Sequence, residues 1–499
     1  MEPINVKKVL EDQFKFSEFR PGQENVIENA LHGMDTLAIL PTGSGKSLCY
    51  QLPSLILPGL TIVVSPLISL MIDQVKQVKA KGMKRVAALH SFLSPQQKRK
   101  ISGNLRKLDL LYISPEMLQM PKMKSLLKRE TISLFVVDEA HCISQWGHEF
   151  RTDYLKLHQV ISDLGEPPVL ALSATATPEV QEDILFQLGR TGACKLIYPM
   201  DKPNIQLGVA EIENEQEKRR FLIDFLSRQK APAMIYFSSR QMAEKVSLEL
   251  KANSLGRIAY YHGGMDPVDR QLVQQQFMNN ELDIVCCTSA FGMGIDKPDI
   301  RIVIHYHLPP RIESFIQEIG RAGRDGGECT SLLLYAPGDE RLPQMFIQSE
   351  LPSHEQIDAF LRFCYTNKKT PAYEDCIHLE LSESQYNFLI ANAGDKDFSL
   401  QATVRETADK LKERQLLRTE QKQNHLIHMM EVINTPGCRR KDLYRHFQEG
   451  FQTPHQKCCD HCHPEIFQVT YESVKERQGL PLWEERLYNI FHARSSYGQ

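Results

Sequence analysis

Between about residues 35 and 340, short β-branched or apolar runs alternate with amphipathic stretches. The runs include TLAIL, TIVVSP, LFVVDEA, VLALSAT, AMIYFSS, DIVCCT and RIVIHY. A run that is apolar on both faces suits a strand buried on both faces, and the alternation suits βαβ units around a parallel sheet. The block is too long for one such sheet. The stretch MDKPN, Met200–Asn204, offers a break between two α/β lobes. The expected fold class is therefore α/β, with two tandem parallel-sheet lobes at 1–203 and 204–344.

The texture changes after Gly338. A helix opens after Ser353, with Ile357, Phe360, Leu361 and Cys364 on one face. CIHLEL comes next, in which Ile377, Leu379 and Leu381 alternate like a half-buried strand. Ser382 and Gln385 fit a capping box. A third helix carries Val404, Ala408 and Leu411 on one face, and LLR after it reads as a strand. That order predicts a small winged-helix-like insert over 345–420, with Lys410, Lys412 and Arg414 facing outward to grip duplex DNA; a helical spacer or a dimerisation surface is the alternative. A cysteine-bearing segment at 421–468 and a tail at 469–499 complete the division.

Composition limits the function. The chain has 499 residues, 42% hydrophobic and 24% charged, which is ordinary for globular protein and enough for roughly three or four domains. The net charge of −3 excludes a global basic field, so any nucleic-acid surface must be a local patch. The most apolar stretch, LILPGLTIVV, is short and broken by Pro58-Gly59, so no membrane span is expected. MEPINVKKVLED has no signal-peptide pattern, and a cytoplasmic location is expected, with nucleoid association if the chain is bacterial. In that setting the cluster Cys458, Cys459 and Cys462, with Cys438 upstream, reads as metal-binding and not as disulfides.

LPTGSGKS, Leu40–Ser47, comes directly after the run TLAIL and matches a phosphate-binding loop, although the general motif has Gly where Leu40 stands. Gly43 and Gly45 let backbone N–H groups turn onto phosphate oxygens. Lys46 reaches the β- and γ-phosphates, and the Ser47 hydroxyl serves Mg²⁺. Thr42, Gly43, Ser44, Gly45, Lys46 and Ser47 are thus candidate nucleotide-binding residues. LFVVDEA supplies two carboxylates at a strand end: Asp138 for the Mg²⁺ shell and Glu139 to polarise the attacking water. QEIGRAGRDG supplies Arg321 and Arg324 as arginine-finger candidates, with Gln317 opening the same catalytic segment. ATP would then lie between the lobes and report on their closure.

The ordered motifs resemble superfamily 2 helicases and, in detail, the RecQ family of DNA helicases. FSEFRPGQ, Phe16–Gln23, is similar to the family's adenine-recognition motif, in which Phe16 stacks on adenine, Gln23 bonds its edge and Arg20 belongs to the same unit. SPLISLMIDQ, SPE, SATAT, YFSSR and TSAFGMGIDKPD resemble motifs Ia, Ib, III, IV and V, and AHCISQWGHEFR resembles the family's aromatic-rich loop. The resemblance covers about residues 10–340 and resumes at Cys438. It implies a motor of two RecA-like lobes, driven by ATP and Mg²⁺, that moves 3′ to 5′ on single-stranded DNA. Expected partners are single-stranded and forked DNA and a single-stranded-DNA-binding protein, with no membrane, for a monomeric motor.

The residues of the loop agree with that role. Trp146 and Phe150 suit base stacking, His148 and Arg151 suit phosphate, and His141 and Gln145 sit where loop position can reach the carboxylates. Ser238 and Arg240 of YFSSR are further DNA candidates. CRRKDLYRHF and HQKCCDHCH resemble the family's zinc-binding subdomain, which implies Zn²⁺ on Cys438, Cys459, Cys462 and a fourth ligand. His455 is preferred for that place and Cys458 is its rival. Only 37 residues lie beyond Cys462, so a short form without the family's usual C-terminal domains is expected. Other readings are an RNA helicase, a DNA-binding scaffold with a degenerate motor, and a translocase that does not separate strands.

Overall fold

A computed structural model of the chain describes residues 5–144, 152–292, 297–394, 398–447 and 457–472. Seven strands build the first sheet: β1 Thr36–Ile39, β2 Leu60–Val64, β3 Val86–Leu89, β4 Leu110–Ile113, β5 Ile132–Val137, β6 Val169–Ser173 and β7 Cys194–Ile197. Their order is β3-β4-β2-β5-β6-β1-β7. Six more build the second: β8 Ile205–Glu211, β9 Ala233–Tyr236, β10 Ile258–Tyr261, β11 Ile284–Cys287, β12 Ile302–His305 and β13 Cys329–Tyr335. Their order is β10-β11-β9-β12-β13-β8. Every paired neighbour is parallel. These are two RecA-like sheets, and the break at Met200–Asn204 falls between β7 and β8.

Burial tracks position in the sheet. The apolar runs of the sequence become interior strands, in which β1, β2, β6, β9, β11 and β12 are buried along their whole length. At the edges, β7 alternates between half-buried and exposed residues. Helices cover both faces, as parallel sheets require. Ligands of such sheets bind beyond the carboxyl ends of the strands. Here β5, β6 and β1 are adjacent, so the segments after Val137, Ser173 and Ile39 emerge side by side.

The 345–420 insert is helical, which corrects the winged-helix expectation. CIHLEL does not form a strand: Glu374–Leu379 is a 3₁₀ turn. LLR lies inside one 34-residue helix, Gln401–Asn434. The reasons are physical. Six alternating residues need a partner strand to hold them extended, and none is beside them among the described residues. From Gln401 to Asn434 there is no Gly or Pro, so nothing stops the helix before Thr435-Pro436-Gly437. The two capping boxes at Ser353/Gln356 and Ser382/Gln385 are both formed. Ile357, Phe360, Leu361, Cys364, Phe388, Leu389 and Leu411 share a core of their own. The three basic residues assigned outward are already engaged: Lys410 with Glu406, Lys412 with Asp358 at 2.7 Å, and Arg414 with the Asn392 side-chain carbonyl at 2.7 Å.

Candidate active site

A cavity of about 450 Å³ opens where the two sheets face each other. It is lined from the first lobe by Phe16, Arg20, Gln23, Thr42, Gly43, Gly45, Lys46, Ser47, Asp138 and Glu139, and from the second by Gln317, Arg321 and Arg324. Of the nucleotide-site candidates, Ser44 alone is not on its wall, although its carbonyl accepts from Gln23 Nε2 at 2.8 Å.

The local backbone explains the loop. Gly43 and Gly45 have φ of +82° and +78°, a region that costs a residue with Cβ about 1–2 kcal/mol. A Cβ on Gly45 would also lie 2.7 Å from Gln23 Nε2. Gly45→Ala is therefore expected to raise the KM for ATP by roughly tenfold, the equivalent of about 1.4 kcal/mol. An unchanged KM in steady-state ATPase kinetics would remove the loop from nucleotide binding. Gln23 is buried, and its side-chain Oε1 accepts from Arg20 N at 2.9 Å while its Nε2 holds the loop. Arg20 donates in turn to the Gly43 carbonyl. Phe16 is 46% exposed at the cavity rim, with Lys81 Nζ 5.7 Å from the ring centre. Lys81 belongs to none of the motifs read from the sequence.

At the floor, Asp138 is buried against Glu139. Loss of water, and then the charge of Glu139, push its carboxyl well above the usual range, opposed by Lys46. The same loss of water lowers Lys46, and both carboxylates oppose that shift. Two packed carboxylates facing a single lysine fit a cation. Glu139 adopts φ +48°, which turns its side chain towards His141, with Oε2 3.6 Å from His141 Nδ1. His141 is fully buried and its Nδ1 lies 2.9 Å from Ser173 Oγ at the end of β6. The DEAH and SAT segments are thus in direct contact.

From the second lobe, Arg321 is buried and donates to the Gly292 carbonyl. Arg324 lies over the phosphate loop, its Cγ 3.1 Å from where a Gly43 Cβ would stand. Trp146, His148, Phe150 and Arg151, together with Gln145 and His455, lie outside the described residues. Ser238 lines a second cavity of about 250 Å³ at the carboxyl ends of β9, β11 and β12, with Thr288, Ser289, Arg311 and Lys422. Arg240 is exposed at the start of the helix Arg240–Ala252.

The cysteine segment forms a compact cluster. The sulfurs of Cys438, Cys458, Cys459 and Cys462 all lie within 4.8 Å of one another. Three of their separations are 3.4, 4.0 and 3.6 Å. Four thiolates placed tetrahedrally at Zn–S distances of about 2.3 Å stand about 3.8 Å apart, so the donor set fits that ion. The fourth sulfur is Cys458, which the sequence places second to His455. A bridge between Leu207 and Cys459, with a turn at Asp460–Cys462 after it, lets both adjacent thiols face one centre.

A nucleotide-sized cleft between two RecA-like sheets, with a phosphate loop on one and arginines on the other, defines the class of nucleotide-driven motors. The family model for DEAD/DEAH box helicases matches residues 20–184, and that for the helicase conserved C-terminal domain matches 217–326. The probable ATP-dependent DNA helicase RecS of Bacillus subtilis is 41% identical over 97% of this chain and 98% of its own length. The ATP-dependent DNA helicase RecQ of Haemophilus influenzae is 41% identical over 68% of this chain and 54% of its own, so the chain matches about half of that longer relative. Among solved structures, the Mycobacterium smegmatis helicase Lhr bound to ssDNA and AMP-PNP aligns with a TM-score of 0.57 at 20% identity, over 78% of this chain and 57% of that one, a likeness of fold. The chain belongs to the RecQ/RecS family of ATP-dependent DNA helicases. No helix among the described residues is long and apolar enough to cross a membrane.

Proposed function

We propose that this chain is an ATP-dependent DNA helicase that converts closure of the interlobe cleft into 3′-to-5′ movement along single-stranded DNA. The observation that carries the reading is one cavity lined by Lys46, Asp138 and Glu139 on one lobe and Gln317, Arg321 and Arg324 on the other. Polyphosphate bound there draws Lys46 and Arg324 towards the same charge, so the lobes close; loss of the terminal phosphate lets them part. Phe16, Arg20 and Gln23 take the adenine end. Asp138 and Ser47 hold Mg²⁺, which neutralises charge on the phosphates. Glu139 orients the attacking water, and His141 ties it to Ser173 at the β6 end.

DNA lies across both lobes. Trp146, His148, Phe150 and Arg151 form the strand-sensing loop, and Ser238 and Arg240 are the second lobe's contacts. The loop comes only a few residues after Glu139, so strand contact has a short path to the water-orienting carboxylate. Cys438, Cys458, Cys459 and Cys462 hold a structural Zn²⁺. The motor works as a cytoplasmic monomer on forked DNA, alongside a single-stranded-DNA-binding protein.

The test is ATPase and fork-unwinding with tailed duplexes of both polarities. DNA should stimulate hydrolysis, and a 3′ tail should load the motor. Trp146→Ala is expected to reduce DNA-stimulated hydrolysis by about tenfold while sparing the basal rate, because stacking on one base is worth about 1–3 kcal/mol. Stimulation by RNA in place of DNA would favour an RNA helicase, and hydrolysis without unwinding would favour a translocase.

A further inference from the structure

The linker between the lobes is not a passive strap. Lys202 Nζ donates to the Gly320 carbonyl at 2.6 Å. It also stands 3.3 Å from where a Gly43 Cβ would be, next to Arg324. Asn204 Nδ2 donates to the Gly323 and Gly327 carbonyls at 2.9 and 2.8 Å, and Asn204 O accepts from Cys329 N at 3.0 Å. Two linker side chains therefore hold three backbone carbonyls around the turn that carries Arg321 and Arg324. Loss of water, and then the charge of Arg324, bring the Lys202 amine down to about 7, which marks how tightly it is drawn into the cleft.

The linker is itself held from a third place. Arg440, 2% exposed, reaches from the cysteine segment to the Asp201 carboxylate, to the Lys202 carbonyl at 3.0 Å and to the Ile205 carbonyl. The same guanidinium donates to the Cys458 carbonyl at 3.4 Å. Cys458 O accepts from Leu207 N as well, at 3.1 Å. Contacts therefore run without a gap from the cysteine cluster through Arg440 and the linker to the arginine turn and the phosphate loop.

We propose that Asp201–Asn204 is a positioning device for the Arg321/Arg324 turn, with Lys202 as its nucleotide-side residue and Arg440 as its anchor to the cysteine cluster. This rests on the ATPase reading above. A buried guanidinium with one carboxylate and three carbonyl partners is costly to disturb, so the linker takes one position relative to the cluster. Lys202 and Asn204 then set where the two arginines stand over the phosphates. Misplacement of a reacting group by about 1 Å can cost as much as a hundredfold in rate.

The experiment uses the full zinc-loaded chain with saturating single-stranded DNA. Steady-state ATP hydrolysis, affinity for a fluorescent non-hydrolysable ATP analogue and the melting midpoint are measured for wild type, Lys202→Ala, Lys202→Arg and Asp201→Asn. Lys202→Ala is expected to lower kcat roughly tenfold or more with analogue affinity unchanged, and Lys202→Arg to restore most of it. Asp201→Asn should lower kcat in the same way, and the Lys202→Ala/Asp201→Asn pair should be less than additive. If Lys202→Ala lowers the melting midpoint, Lys202→Met, which keeps the apolar stem, carries the same test. The inference is overturned if Lys202→Ala keeps the wild-type kcat, if kcat and analogue affinity fall together, or if the double variant is strictly additive. A wild-type chain without DNA-stimulated hydrolysis would sink the helicase reading instead; an active wild type indifferent to Lys202→Ala sinks this inference alone.

Discussion

Arg324→Ala is expected to slow ATP turnover by about a thousandfold or more while ATP still binds. The loss should fall on the chemical step because Arg324 approaches from the second lobe, whereas most ATP-binding candidates belong to the first. Phe16, Gln23 and the phosphate loop keep their own contacts without it. Extra charge builds on the leaving group only as the bond breaks, and an arginine whose stem already packs over Gly43 can meet that charge with little reorganisation. Arg321 is placed differently. It is buried and donates to the Gly292 carbonyl, so part of its effect is to hold the segment Phe291–Gly292 against the C-terminal end of the helix Ile312–Ile319. Arg321→Ala should therefore lower both turnover and thermal stability, and Arg324→Ala turnover alone. Single-turnover hydrolysis with a parallel binding measurement separates them. Weakened binding that accounts for the whole loss with Arg324→Ala would show that the arginine is a ground-state contact.

The nucleotide cleft is legible in the sequence because each part is local. A glycine loop after a strand, a carboxylate pair at a strand end and a charged turn each have chemistry that needs no distant partner to be recognised. Their assembly comes from strand order, since β5, β6 and β1 are adjacent. Residues that act through tertiary reach are not legible. Lys81 meets Phe16 from the end of a helix sixty-odd positions away, and Arg440 meets Asp201 from another segment of the chain. Nothing local shows which partner either cation reaches. The linker reads as a break because Asp, Pro and Asn favour turns, yet Lys202 and Asn204 are both hydrogen-bonded across the cleft. The insert departs from expectation for another reason. Alternation in CIHLEL and the apolar pair in LLR are real patterns, but a strand needs an edge to pair with, and an unbroken run of helix formers overrides the second.

Removing Cys458 should destabilise the cysteine segment, and removing His455 should do little. Metal content and melting midpoint are the measurements. Cys458→Ala is expected to lose zinc and to lower the midpoint; His455→Ala is expected to keep both. Structural zinc in small finger peptides is worth about 10–16 kcal/mol, and that range is an upper bound here because the segment has other supports. Arg439, 3% exposed, donates to Asp460 at 2.6 Å and to the Val432 and Ile433 carbonyls, and Leu207 exchanges backbone bonds with Cys458 and Asp460. Those contacts tie the segment to β8 and to the long helix, so loss of the metal need not unfold the lobes. It should instead loosen the chain at Cys458, whose carbonyl Arg440 also holds. Cys458→Ala should then reduce ATP turnover through the linker even where the lobes stay folded, and added zinc should not restore it. Retained zinc in Cys458→Ala together with loss in His455→Ala would return the fourth place to the histidine and break the link between metal and linker at its first contact.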